Sequence, residues 1–190
     1  MKWLLIQWPY ATFFAAWFLA ALLVPFYHFA GLPLTLVFAQ LPLYMFHQLE
    51  EHYHDRFRLF INKHIADGRD ALTPEAVWWI NSVGVWAYDL VALYLAIYCN
   101  LALGLIGIYL TLVNAVVHVV AAIVGRGYNP GLWSALFLFF PLGIWSACVV
   151  SAASHATLHD HLLACGLAVL LHIGIIVHIR LRLYRLKTAA

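Results

Sequence analysis

Long apolar runs separated by short polar joints set the pattern of this chain. Six stretches of largely apolar sequence stand at about 8–28, 32–51, 76–97, 101–124, 132–153 and 160–181, each near the ~20 residues a helix needs to cross a bilayer. The one long joint runs from Asp55 to Glu75. Within it Phe57, Phe60, Ile61 and Ile65 recur at helical spacing, with Arg56, Asn62, Lys63 and Asp67 elsewhere. This predicts an amphipathic helix over about 55–66, lying in the membrane interface and placed to roof a site beneath it. Asp67-Gly68-Arg69-Asp70 then reads as a turn, and Thr73-Pro74-Glu75 as a helix start with Thr as cap, Pro at the first position and Glu favoured by the helix dipole. Trp78 and Trp79 mark an interface. The fold expected is an all-α, polytopic membrane bundle of about six transmembrane helices plus one interfacial helix, with residues 1–190 forming a single transmembrane domain.

Composition sharpens this reading. Hydrophobic residues make up 65% of the chain and charged residues 9%, against about half and a quarter in soluble domains. A soluble fold is excluded, and no nucleic-acid partner is expected. The first run follows a single lysine, contains Trp3, Trp8 and Trp17, and lacks a short apolar core followed by a small-residue cleavage site. It reads as an uncleaved helix. Cys99, Cys148 and Cys165 are odd in number and scattered, which suits structural roles better than a disulfide framework or a CxxC metal site.

Charge gives the orientation, because Lys and Arg concentrate in cytoplasmic segments. Lys2 precedes the first span; Arg56, Arg58, Lys63 and Arg69 lie between the second and third; Arg126 lies between the fourth and fifth; Arg180, Arg182, Arg185 and Lys187 follow the sixth. All ten therefore fall on one side. Both termini are expected in the cytoplasm, in an inner or plasma membrane, while the oligomeric state is open.

Polar residues in so apolar a chain point to its chemistry. Gln40, Tyr44, His47, Glu51 and His54, spaced by four and three, form one stripe on a helix, flanked by Glu50. The fourth span carries Gly104, Gly107, Thr111, Asn114, His118, Ala121 and Gly125 on one face, small residues that let helices approach and present Asn114 and His118 inward. The alternating topology brings these to one depth at the cytoplasmic end, near Arg126 and Tyr128. The third span adds Asn81, Tyr88 and Asp89, and the sixth adds His172 and His178.

Metal binding is the sharp reading of this set. His47 and Glu51 stand at i and i+4, and His118 completes a His, His, Glu set with an open position, with His54 as a spare ligand. Zinc with a bound water suits it, and so does non-heme ferrous iron. Glu50 would be the base, Asn114 and Arg126 would hydrogen-bond an oxyanion or head group, and Tyr128, Asp89 and His172 would contact substrate. Glu51-His52-Tyr53-His54 also contains, once, the E-x-x-H spacing of di-iron bundles. The competing explanation of Glu50, Glu51, His52 and His54 is a solvated helix end balanced by Arg56 and Arg58. A second cluster, His155, His159 and His161 with Asp160, belongs to the opposite side, where it is a weak metal-capture site or a solvated loop.

Three motifs in order, His47-Gln48-Leu49-Glu50-Glu51, Asn114 to His118, and Arg126, Tyr128, Pro130 and Gly131, resemble those of a family of small integral-membrane proteins named for its H-x-x-E-E motif. The resemblance implies an enzyme-like polar constellation and supplies candidate residues without a reaction. Paired Glu with His and Asn on neighbouring helices is also similar to glutamate-dependent membrane peptidases of the prenyl-protein processing type. This chain departs from them in having Asp55 where an Arg would stand four positions after the second Glu.

The function expected is a membrane enzyme, dependent on zinc first or iron second, that hydrolyses a lipid or another apolar small molecule at the cytoplasmic leaflet. Three alternatives stand beside it: an iron or di-iron oxygenase or desaturase on the same ligands, a metal-free Glu/His peptidase, and a non-enzymatic carrier of ions, protons or metal.

Overall fold

The computed structural model describes residues 2–189; the side chains of Lys2, Trp3 and Leu4, and with them the charge of Lys2 used for orientation, lie outside the described residues. Helices account for nearly all of the chain, and no strand occurs among the described residues. The elements are α1 (Lys2–His52), α2 (Arg56–His64), α3 (Pro74–Tyr98), α4 (Leu101–Gly125), α5 (Leu132–Ser154) and α6 (Leu158–Thr188). Five helical runs are long and apolar enough to cross a membrane.

The first run is one continuous helix only by hydrogen bonding. At Gly31 the backbone takes φ 75° and ψ 172°, a region open essentially to glycine alone, and the chain doubles back. The two arms pair in antiparallel register: Phe26 meets Phe38, Phe13 and Trp17 meet Phe46, and Trp8 meets His52, with ring centroids 5.0 to 5.8 Å apart. Counted as rods, the bundle therefore has the six long helices that the apolar runs call for.

α4 is the central rod. It packs most extensively on α5 and then on α6, and it also touches α3 and the second arm of α1. Small residues allow this: a Cβ on Gly107 would stand 3.0 Å from an Asp89 oxygen, and one on Gly104 would collide with Val37. Two wider, π-helical stretches, Ile80–Trp86 in α3 and Ala135–Phe139 in α5, interrupt the regular ladder, as such turns often do beside functional sites. The first presents Asn81 to Gln48 of α1 at 2.8 Å, and Trp86 Nε1 donates to the other end of the Gln48 amide at 2.8 Å.

One end of the bundle is sealed by the α2 to α3 segment. Asn62 donates to Leu72 O and accepts from Leu72 N, both at 2.9 Å, which pins the turn, and Thr73 caps α3 by accepting from Ala76 N. Losing such a cap costs about 1 kcal/mol. Arg182 donates to Asp70 O, and Lys187 reaches Asp67, so the end of α6 lies beside this turn. Basic residues of the α2 to α3 segment, Arg58 and Arg69, and of α6, Arg182 and Lys187, thus gather at one end. α2 spans 56–64, slightly inside the expected 55–66, because His54 and Asp55 adopt left-handed φ values of 53° and 62° before it begins.

Candidate metal centre

The second arm of α1 carries Gln40, Tyr44, His47 and Glu51 down one buried stripe, as the alternation of four and three requires. α4 brings His118 to meet it. His47, Glu51 and His118 are 0%, 6% and 4% exposed, and one ligand atom from each lies within 4.8 Å of the others. His47 Nε2 stands 3.6 Å from Glu51 Oε2, and His118 Nε2 stands 3.6 Å from Glu51 Oε1.

The surroundings fix the tautomers. Asn129 Nδ2 donates to His118 O at 2.9 Å, which leaves Asn129 Oδ1 to accept from His118 Nδ1–H at 2.7 Å. Ser134 Oγ donates its single proton to Glu50 Oε2 at 2.5 Å, so at 2.8 Å it accepts from His47 Nδ1–H. Each imidazole thus spends its N–H on a partner outside the cluster. Both Nε2 lone pairs then face the Glu51 carboxylate, and His47 Nε2 has no hydrogen-bond partner among the described residues. Three acceptors facing one another in a buried site repel unless a cation or a proton lies between them.

A divalent ion fits this set on two grounds. Ligand bonds of about 2.1 Å in tetrahedral geometry place donor atoms roughly 3.4 Å apart, close to the 3.6 Å at which each Nε2 stands from its own carboxylate oxygen, Oε2 for His47 and Oε1 for His118. Gly131 leaves the room: a Cβ there would lie 2.5 Å from His118 Cε1, 2.8 Å from His47 Cε1 and 2.9 Å from His118 Nε2. Its φ of 99° is the left-handed backbone that favours glycine. Second-sphere donors such as Asn129 and Ser134 are what orient neutral histidine ligands in metal sites.

Glu50 occupies a different place from the one expected of a base. Its carboxylate accepts from Tyr128 OH at 2.9 Å, Trp133 N at 3.2 Å, Ser134 N at 2.7 Å and Ser134 Oγ. These four donors use its acceptor positions and tie the end of α1 to the first turn of α5, where a negative charge is favoured by the helix dipole. Tyr128 thereby holds Glu50 and does not line the cavity described below. Partial burial and the hydrogen bond to Glu50 hold its phenol above its ordinary pKa, so it remains a donor.

Other expected members disperse. α1 ends at His52, and the left-handed turn swings His54 out to the exposed surface, away from the stripe it would have joined. Arg126, left-handed with φ 50° at the end of α4, is exposed, and its side chain has no hydrogen-bonded partner among the described residues. Asp89 is buried against Gly107, has no hydrogen-bond partner on either oxygen among the described residues, and stands outside the cavity. At the far end His161 Nδ1 lies 3.0 Å from Tyr109 OH, while His155 and His159 are exposed; among the described residues no metal-competent group forms there. The three cysteines are free.

A cavity of about 260 Å³ opens beside the cluster. Glu51, His52, His118 and Asn129 form its polar wall, joined by Asn114 and His172, while Phe57, Phe60, Ile61 and Ile65 of α2 roof it. Asn114 Nδ2 donates to Tyr44 OH at 2.6 Å, and His172 Nδ1 donates to Ala168 O at 2.8 Å, leaving its Nε2 as an acceptor. His52, Asn129 and Ser134 are the members that sequence reasoning passed over. His52 Nε2 comes within 3.1 Å of Glu51 Oε2 without hydrogen-bond alignment. Asn129 had a signal, standing inside the Arg126 to Gly131 motif; Ser134 had none.

Fold and site together define an all-α bundle with helices of membrane-spanning length and a buried His/Glu/His set facing an apolar cavity. The chain belongs to the family described as "Protein of unknown function with HXXEE motif", whose model matches residues 38–146. That stretch holds His47, Glu50, Glu51, Asn114, His118, Asn129, Gly131 and Ser134. No curated protein and no solved structure matches the chain.

Proposed function

We propose that this protein is a metal-dependent membrane enzyme that hydrolyses a lipid or another apolar small molecule at the cytoplasmic leaflet. The observation that carries the proposal is the meeting of three acceptor atoms, His47 Nε2, a Glu51 carboxylate oxygen and His118 Nε2, with both Nδ1–H groups already committed. His47, Glu51 and His118 would hold the ion, zinc first and ferrous iron second. An ion there would supply Lewis-acid activation of water or of a carbonyl.

The remaining residues divide the other work. Glu50 positions: through Ser134 it orients His47, and through Tyr128 and the α5 backbone it closes the turn that brings Gly131 against both imidazoles. The proton acceptor on the cavity wall is His172, whose Nδ1–H is spent on Ala168 O. Asn114 has a second amide N–H free for an oxyanion beside the cluster. The apolar lining excludes bulk water and suits a hydrocarbon. Gathering of the basic residues at the site's end of the bundle supports a cytoplasmic location for the site and both termini.

Elemental analysis by plasma mass spectrometry of detergent-purified protein, never exposed to chelator, tests the reading. Near-stoichiometric zinc, lost in His47→Ala, Glu51→Ala and His118→Ala, is the expected result. Iron in its place would turn the reaction class towards oxygen chemistry. No metal above background in the wild type would overturn the proposal.

A further inference from the structure

The cavity has a further charged group, carried by the α6 face that already brings His172 to its wall. α6 presents His172, Ile176 and Arg180 to it at successive turns, the i, i+4 spacing that puts residues on one face. Ile176, with Val117 of α4 and Ile65 after α2, both lines the cavity and is exposed, at 55%, 42% and 41%. These three apolar residues therefore frame a mouth rather than a floor. It lies between α4 and α6, on flanks where neighbouring residues such as Val120, Ile173 and Val177 are also exposed. Arg180 stands one turn beyond Ile176, at the edge of that mouth. Among the described residues it has no carboxylate within ion-pair distance, whereas Arg58 has two and Arg69 and Lys187 have one each.

We infer that the cavity takes a single-chain amphiphile with an anionic head, which enters sideways from the bilayer between α4 and α6 and is held by its head at Arg180. The inference rests on the hydrolase reading only for the fate of that ligand. Size selects one chain, because about 260 Å³ falls just below the range of about 300 to 1,000 Å³ usual for drug-sized ligands. Charge selects the head: a guanidinium forks onto a carboxylate or a phosphate in two parallel hydrogen bonds. The chain lies along Ile176 and Val117, in the cavity that Glu51 and His118 also line. Arg180 takes the head-group task that sequence reasoning gave to Arg126.

Photolabelling with palmitic acid and with hexadecanol, each bearing a diazirine in the chain, tests this in protein reconstituted into phosphatidylcholine nanodiscs. The acid is expected to label α4 near Val117 and α6 near Ile176, saturably against unlabelled palmitic acid, with about tenfold preference over the alcohol. Arg180→Gln is expected to remove that preference and Arg180→Lys to keep most of it, while Val117→Trp, plugging the mouth, lowers labelling by both. Labelling spread over exposed positions such as Phe18 and Phe29 without saturation would overturn the inference. So would equal labelling by acid and alcohol, or an Arg180→Gln variant that behaves as wild type. A carboxylate and a phosphate head are separated by competition with hexadecyl phosphate. Repeating the experiment with Glu51→Gln separates the two readings: selective labelling without bound metal leaves this inference standing whatever becomes of the metal, and bound zinc without selective labelling sinks this inference alone.

Discussion

His47 Nε2 lies 3.6 Å from Glu51 Oε2, one helical turn away, with the imidazole's proton already donated to Ser134 on the other side. A lone pair thus faces a carboxylate in a buried site. Filling the space between them with zinc is expected to raise the thermal midpoint of the purified protein, since a ligand at about 100 times its Kd adds about 2.7 kcal/mol. Glu51→Gln removes the charge that holds the ion, and its midpoint should not move with zinc. Differential scanning fluorimetry in detergent across a zinc titration checks this; an equal rise in both proteins would mean zinc binds elsewhere.

Glu50 and Glu51 are neighbours with different work, and substitution separates them. Ser134→Ala and Glu50→Gln each break the chain from Glu50 through Ser134 to His47 without touching a ligand. Loss of a second-sphere partner typically weakens metal binding 10- to 100-fold, so both variants should bind zinc more weakly and regain full occupancy and turnover at high zinc. A general base would not be rescued that way. If Glu50→Gln at saturating zinc stays dead in turnover, Glu50 is a base after all and the positioning role falls.

The distinction between these two glutamates shows where the sequence was legible and where it was not. His47, Glu51 and His118 were found from i, i+4 spacing and from which helix ends share a depth, both of which depend on regular helix geometry. His54 follows the same spacing and fails because α1 stops at His52, at a left-handed turn made by a His and an Asp with no Gly or Pro to announce it. Ser134 reaches His47 across 87 positions of chain, through a contact that depends on how α5 docks, and no local pattern encodes docking. Asp89, expected to contact substrate, lies buried against Gly107 and outside the lining of the cavity, since depth in a bundle does not tell which cavity a side chain faces.

Gly131 carries the closest approach of backbone to the ligands. A methyl group there would collide with both imidazoles and would force a non-glycine residue to hold φ 99°. The backbone strain alone is worth about 1–3 kcal/mol. Gly131→Ala is therefore expected to lose most bound metal and to lower the thermal midpoint even without metal. Gly127→Ala, in the same loop with only a distant neighbour at 3.9 Å, is the control and should keep its metal. Metal content and unfolding of the two variants side by side make the check, and equal metal in both would remove Gly131 from the site.

Acid should empty the site before it unfolds the bundle. Both imidazoles bind as neutral ligands, so each competes with a proton for the same Nε2 lone pair, and metal binding releases protons. The sign follows directly: as pH falls, protonated imidazole accumulates and zinc affinity drops, more steeply than a single histidine would give because two act together. The bundle is held chiefly by apolar packing, such as that of Leu105, Ile108, Phe139 and Val150, all fully buried, and packing of this kind does not titrate. Zinc affinity measured by competition with a chelating dye from pH 8 to pH 5 should therefore fall while far-ultraviolet circular dichroism stays constant. The proton uptake that accompanies zinc release, read at the acid end of this range with an indicator dye, should be smaller in His118→Ala and in His47→Ala than in the wild type. Equal uptake and equal zinc affinity in one of these variants and the wild type would mean that its histidine is not a ligand, and the three-residue set would have to be redrawn around Glu51.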